Sequence, residues 1–128
     1  MARRVSIHMP GFSHRNPIPA ASRIGPHLYS GVLTGRDARS GEMADGLDAQ
    51  MANVFAHIRA LMAAAGGSTD DIVKLTFWLA DADDRDALNR EWLAMFPDAS
   101  SRPARQAMAA TLGGGALVHC DVVAILDD

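Results

Sequence analysis

Residues 116–126, ALVHCDVVAIL, constrain the fold more than any other stretch of this chain. Successive side chains of a strand point to opposite faces, so Ala116, Val118, Cys120, Val122, Ala124 and Leu126 share one side. That side is small and apolar throughout, which fits the covered face of a sheet. The other side carries Leu117, His119, Asp121, Val123 and Ile125. It is too apolar for a solvated surface, yet a sealed core does not accept a His and an Asp without partners, because an unpaired desolvated charge is costly. The strand therefore belongs to a sheet with both faces covered, one of them by something with polar needs.

The rest of the chain supplies cover for one face only. Leu47, Met51, Val54, Phe55, Ile58, Leu61, Met62 and Ala65 recur at steps of three and four and predict a long helix over 44–65, ended by Gly66 and Gly67. Ser68-Thr69-Asp70-Asp71 reads as a capped short turn. Residues 71–80 predict a strand with Val73, Leu75, Phe77 and Leu79 on one face and Lys74, Thr76 and Trp78 on the other. Residues 81–97 predict a second helix, with acids crowding its first turn, Leu88, Trp92, Leu93 and Phe96 on its apolar side, and Pro97 as its stop. Upstream, residues 3–9 predict an edge strand; Pro10, Pro17 and Pro19 interrupt regular structure; residues 27–33 predict a strand followed by the polar turn GRDARSGE. Residues 103–112 and 116–126 read as a hairpin around Gly113, Gly114 and Gly115, which sets Arg105 near Val123 and diagonally within reach of Asp121. The order β, β, α, β, α, β, β gives a single α+β domain over 1–128, a five- to six-stranded sheet with two helices on one face. No element is left for the second face, so an oligomer with a cleft at the subunit junction is expected.

Composition narrows the function. Apolar residues make up 48% and charged residues 21%, the balance of an ordinary soluble protein. A net charge of −3 argues against a nucleic-acid surface, which needs a concentrated positive field. The single cysteine, Cys120, permits no internal disulfide framework, and its parity puts it in the core. No stretch approaches the roughly 20 apolar residues of a membrane span, and MARRVSIHMPG lacks the apolar centre of a signal peptide; a cytoplasmic protein without membrane contact is expected. His8, His14, His27 and His57 have no metal-ligand spacing, so no metal is expected. The triple glycine precedes a strand, whereas a phosphate-cradling loop needs a helix behind it.

Arg105 stands out within SSRPARQAMAATL, residues 100–112. A guanidinium keeps its charge at any accessible pH and needs water, an acid or an anionic ligand. Arg105, Ala107, Ala109 and Thr111 share a face, and the small residues leave room for a ligand beside the cation. The plain alternative is a structural ion pair with Asp121 or with an acid of another subunit. His119, with an ordinary pKa of ~6.5, can exchange a proton near neutrality or simply fill an interface. Asp121 can activate water or hold Arg105 or His119 in place, and Ser30 and Gly31 close an early strand where a glycine permits close approach.

Taken together, Ser30-Gly31, TGRDARSGE, AAAGGSTDDIVKLTFWL, ALNREWLAMFPD, RPAR and the final apolar strand run in an order that resembles the RidA (YjgF) family of enamine/imine deaminases, over about residues 14–126. The resemblance implies a chorismate-mutase-like fold and a homotrimer with sites at its subunit interfaces. It implies a hydrolase without metal or organic cofactor, similar to a 2-iminobutanoate/2-iminopropanoate deaminase, whose partner is a small carboxylate metabolite. Arg105 matches the arginine that binds the substrate carboxylate; Ser30, Gly31 and Asn89 match residues that border the site; Ala107 stands where the family has a cysteine. His119 and Asp121 stand where it has two alternating glutamates, His119 at the water-activating place, and the segment HRNPIPAAS lacks the family's site tyrosine. The chain thus resembles a divergent branch. A non-catalytic carboxylate sensor of the same fold is the main rival reading, and the ribonuclease activity often attached to the family is the weakest.

Overall fold

The strongest periodicity in the chain becomes its longest helix, α1 (Leu47–Ala64), in a computed structural model that describes residues 3–11 and 16–127. Met51, Val54, Phe55, Ile58, Leu61 and Met62 are buried along one side of α1, as the spacing predicts. Its end is a Schellman arrangement: Gly66, at φ +79°, donates to Ala63 O at 3.1 Å, and Gly67 donates to Met62 O at 2.9 Å. The left-handed φ is the reason a glycine stands at 66. Ser68 then caps the short 3₁₀ turn Thr69–Asp71, with the Asp71 carboxylate accepting the Ser68 N–H at 2.9 Å.

Among the described residues are seven strands: β1 (Arg4–Ile7), β2 (Ala21–Ile24), β3 (His27–Ser30), β4 (Leu33–Thr34), β5 (Ile72–Leu79), β6 (Ala104–Ala109) and β7 (Val118–Ile125). They form one mixed sheet in the order β1-β2-β3-β7-β5-β6, with the two-residue β4 continuing along β7 beyond β3. The second helix, α2 (Asp86–Met95), lies in the chain between β5 and β6. The fold is the expected α+β class, with one strand more than the upper count read from sequence: β2, in a stretch where the sequence predicts no strand, and the short, separate β4 add to the five strands it predicts.

The sheet splits into faces as the parity argument requires. Val118, Cys120, Val122, Ala124 and Leu126 are buried, together with Leu28, Leu33, Leu75, Phe77 and Leu79, in the cluster that holds the apolar sides of both helices. Phe55 of α1 and Phe77 of β5 stack across that layer with ring centroids 5.8 Å apart. The opposite face, with Thr76, Trp78, His119, Asp121 and Val123, is only half-buried in the single chain, and Tyr29 and Ile125 lie exposed on it.

Three expectations are corrected. Residues 103–112 and 116–126 do not pair as a hairpin; β6 runs parallel to β5, and β5 lies between β6 and β7. A strand, a helix and a strand in succession provide the crossover that parallel pairing needs, and α2 supplies it. Arg105 is therefore neither beside Val123 nor diagonal to Asp121. The β5 face pattern also slips at its start: a bulge between Ile72 and Lys74 buries Ile72 and leaves Val73 46% exposed. Finally, α2 starts only at Asp86, so Asp81, Asp83 and Asp84 lie in the loop before it, and Leu93 faces solvent while Leu88, Trp92 and Phe96 are buried.

One polar side chain ties the layers together. Gln50 of α1 is 1% exposed; its amide donates to Ala44 O and to Gly115 O, both at 3.0 Å, and its carbonyl accepts Leu117 N–H at 2.7 Å. Gly35 packs directly on it, where an added Cβ would come within 2.5 Å of the Gln50 Cβ. The loops before α1 and before β7 are thereby pinned to one helix position. Among the described residues, no helix is long and apolar enough to cross a membrane.

Candidate functional site

Arg105 sits on β6, the edge strand of the sheet, and is half-buried. It pairs in register with Leu75, which in turn pairs with Val122, so Arg105 and Ala107 lie on the helix-covered face. The residues beside it come from α2. Arg105 Nη1 donates to Asn89 Oδ1 at 2.9 Å, and the guanidinium carbon stands 5.1 Å from the centre of the Trp92 ring. A cation over an indole face and one amide acceptor fix the plane of the fork without cancelling its charge. Ala107, also half-buried, keeps the strand beside it small.

No acid among the described residues neutralises this cation. Among the described residues the one ion pair joins Arg90 and Asp48, both exposed, at 3.4 Å. The structural pair with Asp121 that the sequence left open is absent, and among the described residues the other guanidinium N–H groups make no further hydrogen bond. Burial, and then the like charge of Arg85, lower the Arg105 pKa. Both causes disfavour the cation, so an anion beside it would relieve them.

The other predicted residues gather elsewhere. His119 pairs with Trp78 of β5 and Thr34 of β4, and Asp121 pairs with Thr76, all on the face away from the helices. Burial lowers the His119 pKa, so its imidazole is neutral at pH 7. Burial raises the Asp121 pKa, opposed by a hydrogen bond from Thr76 and by the charge of Lys74. Cys120 between them is fully buried, its thiol pKa raised by burial and by Asp121, as a core residue's should be.

Ser30 and Gly31 stand where β3 gives way to β4. Between the pairs Tyr29–Val123 and Leu33–Cys120 the chain spends three residues against two on β7, so the ladder breaks there. The Ser30 hydroxyl repairs it, accepting Val122 N–H at 2.8 Å and donating to Gly31 O at 2.7 Å. Gly31 has no internal steric need to be glycine: an added Cβ would meet only Ala20 O, at 3.7 Å.

The structure thus brings Arg105, Asn89 and Ala107 together and sets Ser30, Gly31, His119 and Asp121 in a second group. Arg105 and Asp121 are two strand spacings apart, about 10 Å, and on opposite faces. One small ligand cannot touch both within a single chain. Trp92 was read from sequence only as an apolar helix residue, although its spacing of three from Asn89 put it on the same helix face. His14, and the stretch in which the family's tyrosine would fall in part, lie outside the described residues.

These features define a class first: an α+β protein with a mixed sheet, helices on one face, and an unneutralised guanidinium at its open edge. Residues 18–126 match the family described as endoribonuclease L-PSP, and the chain belongs to that family, which also holds the RidA, YjgF and RutC proteins. A RutC family protein of Aquifex aeolicus is 26% identical over 110 residues, 85% of this chain and 88% of the relative. A RutC family protein of Pyrococcus horikoshii is 31% identical over 93 residues, 72% of each chain. The crystal structure of RidA from an Antarctic Psychrobacter superposes with a TM-score of 0.87 at 28% identity, covering 95% of this chain and 99% of that one. A Rid-family protein of Yersinia pestis, at 24% identity, covers 96% of this chain and 99% of its own with a TM-score of 0.89, and so shares the fold.

Proposed function

We propose that the chain is a hydrolase that converts small carboxylate-bearing imines and enamines, the 2-imino acids, to 2-oxo acids and ammonia, acting as a homotrimer. The observation that carries this reading is the free guanidinium of Arg105, oriented by Asn89 and Trp92 and without an acid partner among the described residues. A planar fork with unused N–H groups grips a carboxylate through two parallel charge-assisted bonds, which a lysine cannot copy. The separation of Arg105 from His119 and Asp121 supports a site shared between protomers, Arg105 from one and the β7 pair with Ser30 and Gly31 from the next.

In that arrangement the carboxylate is held by Arg105 and a water stands by His119. The neutral imidazole takes a proton as the water oxygen bonds to the imine carbon, giving a carbinolamine. The imidazolium gives that proton to nitrogen; the carbinolamine hydroxyl proton then follows by the same imidazole, so nitrogen leaves as ammonia when the C–N bond breaks and the carbonyl forms. Asp121 holds the imidazolium that exists between these steps. Imine hydrolysis is undemanding, so orientation of the carboxylate and one modest acid–base group suffice.

The test uses 2-iminopropanoate generated in situ by an amino-acid oxidase, with its decay followed with and without the protein. Arg105→Ala is expected to lower kcat/KM by about 10- to 100-fold, the value of a charged hydrogen-bonded pair. Thermal stabilisation by pyruvate without turnover would replace the enzyme with a carboxylate sensor. RNA cleavage that survives Arg105→Ala would reject both.

A further inference from the structure

Resting on that reading of the Arg105 site, we propose that Arg85 is a specificity residue and that the preferred substrates are dicarboxylic imino acids, typified by 2-iminoglutarate. Arg85 is the N-cap of α2, where its carbonyl accepts Asn89 N–H at 2.9 Å, and Asn89 and Trp92 follow on the helix three residues apart. Asn89 and Trp92 hold the Arg105 guanidinium. Arg85 thus stands one hydrogen-bonded turn before the Asn89 that touches Arg105, at the end of α2 that flanks the guanidinium.

Arg85 is also fixed and uncancelled. Its Nε donates to Ala82 O at 2.8 Å, which anchors the base of the fork and leaves its terminal nitrogens. Asp81, Asp83, Asp84 and Asp86 are close in sequence, yet none of them forms an ion pair with either arginine among the described residues. The Asp81 carboxylate is engaged instead with Asp83 N–H at 3.0 Å. The charge of Arg85 reaches the Arg105 side chain as a repulsion. Two like cations held together without an acid are unfavourable in the empty site and complementary to a ligand with two separated carboxylates. A substrate with one carboxylate leaves one of the two cations without an anion.

The experiment compares kcat/KM for 2-iminoglutarate and 2-iminopropanoate, each generated by its oxidase, in the wild type, Arg85→Ala, Arg85→Lys and Arg105→Ala. The wild type is expected to favour the diacid, and Arg85→Ala to reduce the diacid-to-monoacid ratio by about tenfold or more, chiefly through KM, with Arg85→Lys recovering part of it. Calorimetry with 2-oxoglutarate and 2-oxobutanoate gives a readout independent of turnover. If Arg105→Ala lowers turnover as expected but Arg85→Ala leaves the ratio unchanged, the diacid preference is wrong and the deaminase reading stands. Tighter binding of 2-oxoglutarate that is lost in Arg85→Ala, with no imine turned over, keeps the diacid site and removes the deaminase. Neither preference nor turnover overturns both.

Discussion

What surrounds Arg105 and His119 decides what each can do, because burial acts on them in the same sense and leaves them in different states. The guanidinium stays a cation despite a lowered pKa; the imidazole, lowered from ~6.5, is neutral at pH 7. The presence of Arg105 was legible in the sequence as a permanent charge in a run of small residues. Its face was not, because parity assigns sides within a strand while the partner strand decides what lies across. His119 gives a pH signature. Its folded pKa lies below its unfolded one, so between the two values the unfolded chain binds more protons, and stability falls as pH drops through about 6.5 and levels off below the folded value. Asp121 acts oppositely: its raised pKa means that the folded chain takes up its proton first, and acidification through the carboxylate range restores stability. His119→Asn is therefore expected to flatten the dependence of the urea midpoint on pH between about 7 and 5. An unchanged slope in that variant would assign the dependence to other groups. In the active protein, turnover is expected to fall on the acid side as the imidazole becomes charged.

The two helices and the β7 strand were legible because their patterns repeat over many residues, and a period of 3.6 or 2 survives a local irregularity. The bulge at Val73, the break between β3 and β4, and the parallel pairing of β6 were not, because each depends on which strand lies alongside. Two polar side chains absorb the consequences of those irregularities. Ser30 supplies the acceptor that Val122 N–H loses where the ladder slips, and Gln50 satisfies three backbone groups of two loops. Ser30→Ala is expected to cost about 1–2 kcal/mol, one buried donor left without its partner. Gln50→Leu is expected to cost about 3 kcal/mol or more, since it strands two carbonyls and an N–H behind a side chain of similar volume. Urea unfolding at fixed protomer concentration measures both, and a Gln50→Leu loss below that of Ser30→Ala would show that water reaches those loops.

At the scale of the whole molecule, the sheet face that carries His119 and Asp121 is half-covered, and the edge that carries Arg105 faces outward with its charge unmatched. Both deficits are met if a second copy lays its β6 edge against the β7 side of the first, in a head-to-tail contact that closes as a ring. Mixed assemblies test this with residues already assigned. Arg105→Ala and Asp121→Asn chains, each expected to be strongly impaired alone, are combined in equal amounts by co-expression. A junction works when the neighbour giving the guanidinium is the Asp121→Asn chain and the neighbour giving the carboxylate is the Arg105→Ala chain. Each condition holds in half of the cases, so random assembly returns about one quarter of wild-type turnover if the pair must come from two protomers of a symmetric ring. A site built within one chain contains a defect in every copy and regains nothing. Val123→Glu, which places a carboxylate on the half-covered face, is expected to yield monomers by sedimentation and to abolish turnover without changing the fold seen by circular dichroism. Active monomers of that variant would mean that one chain completes the site alone.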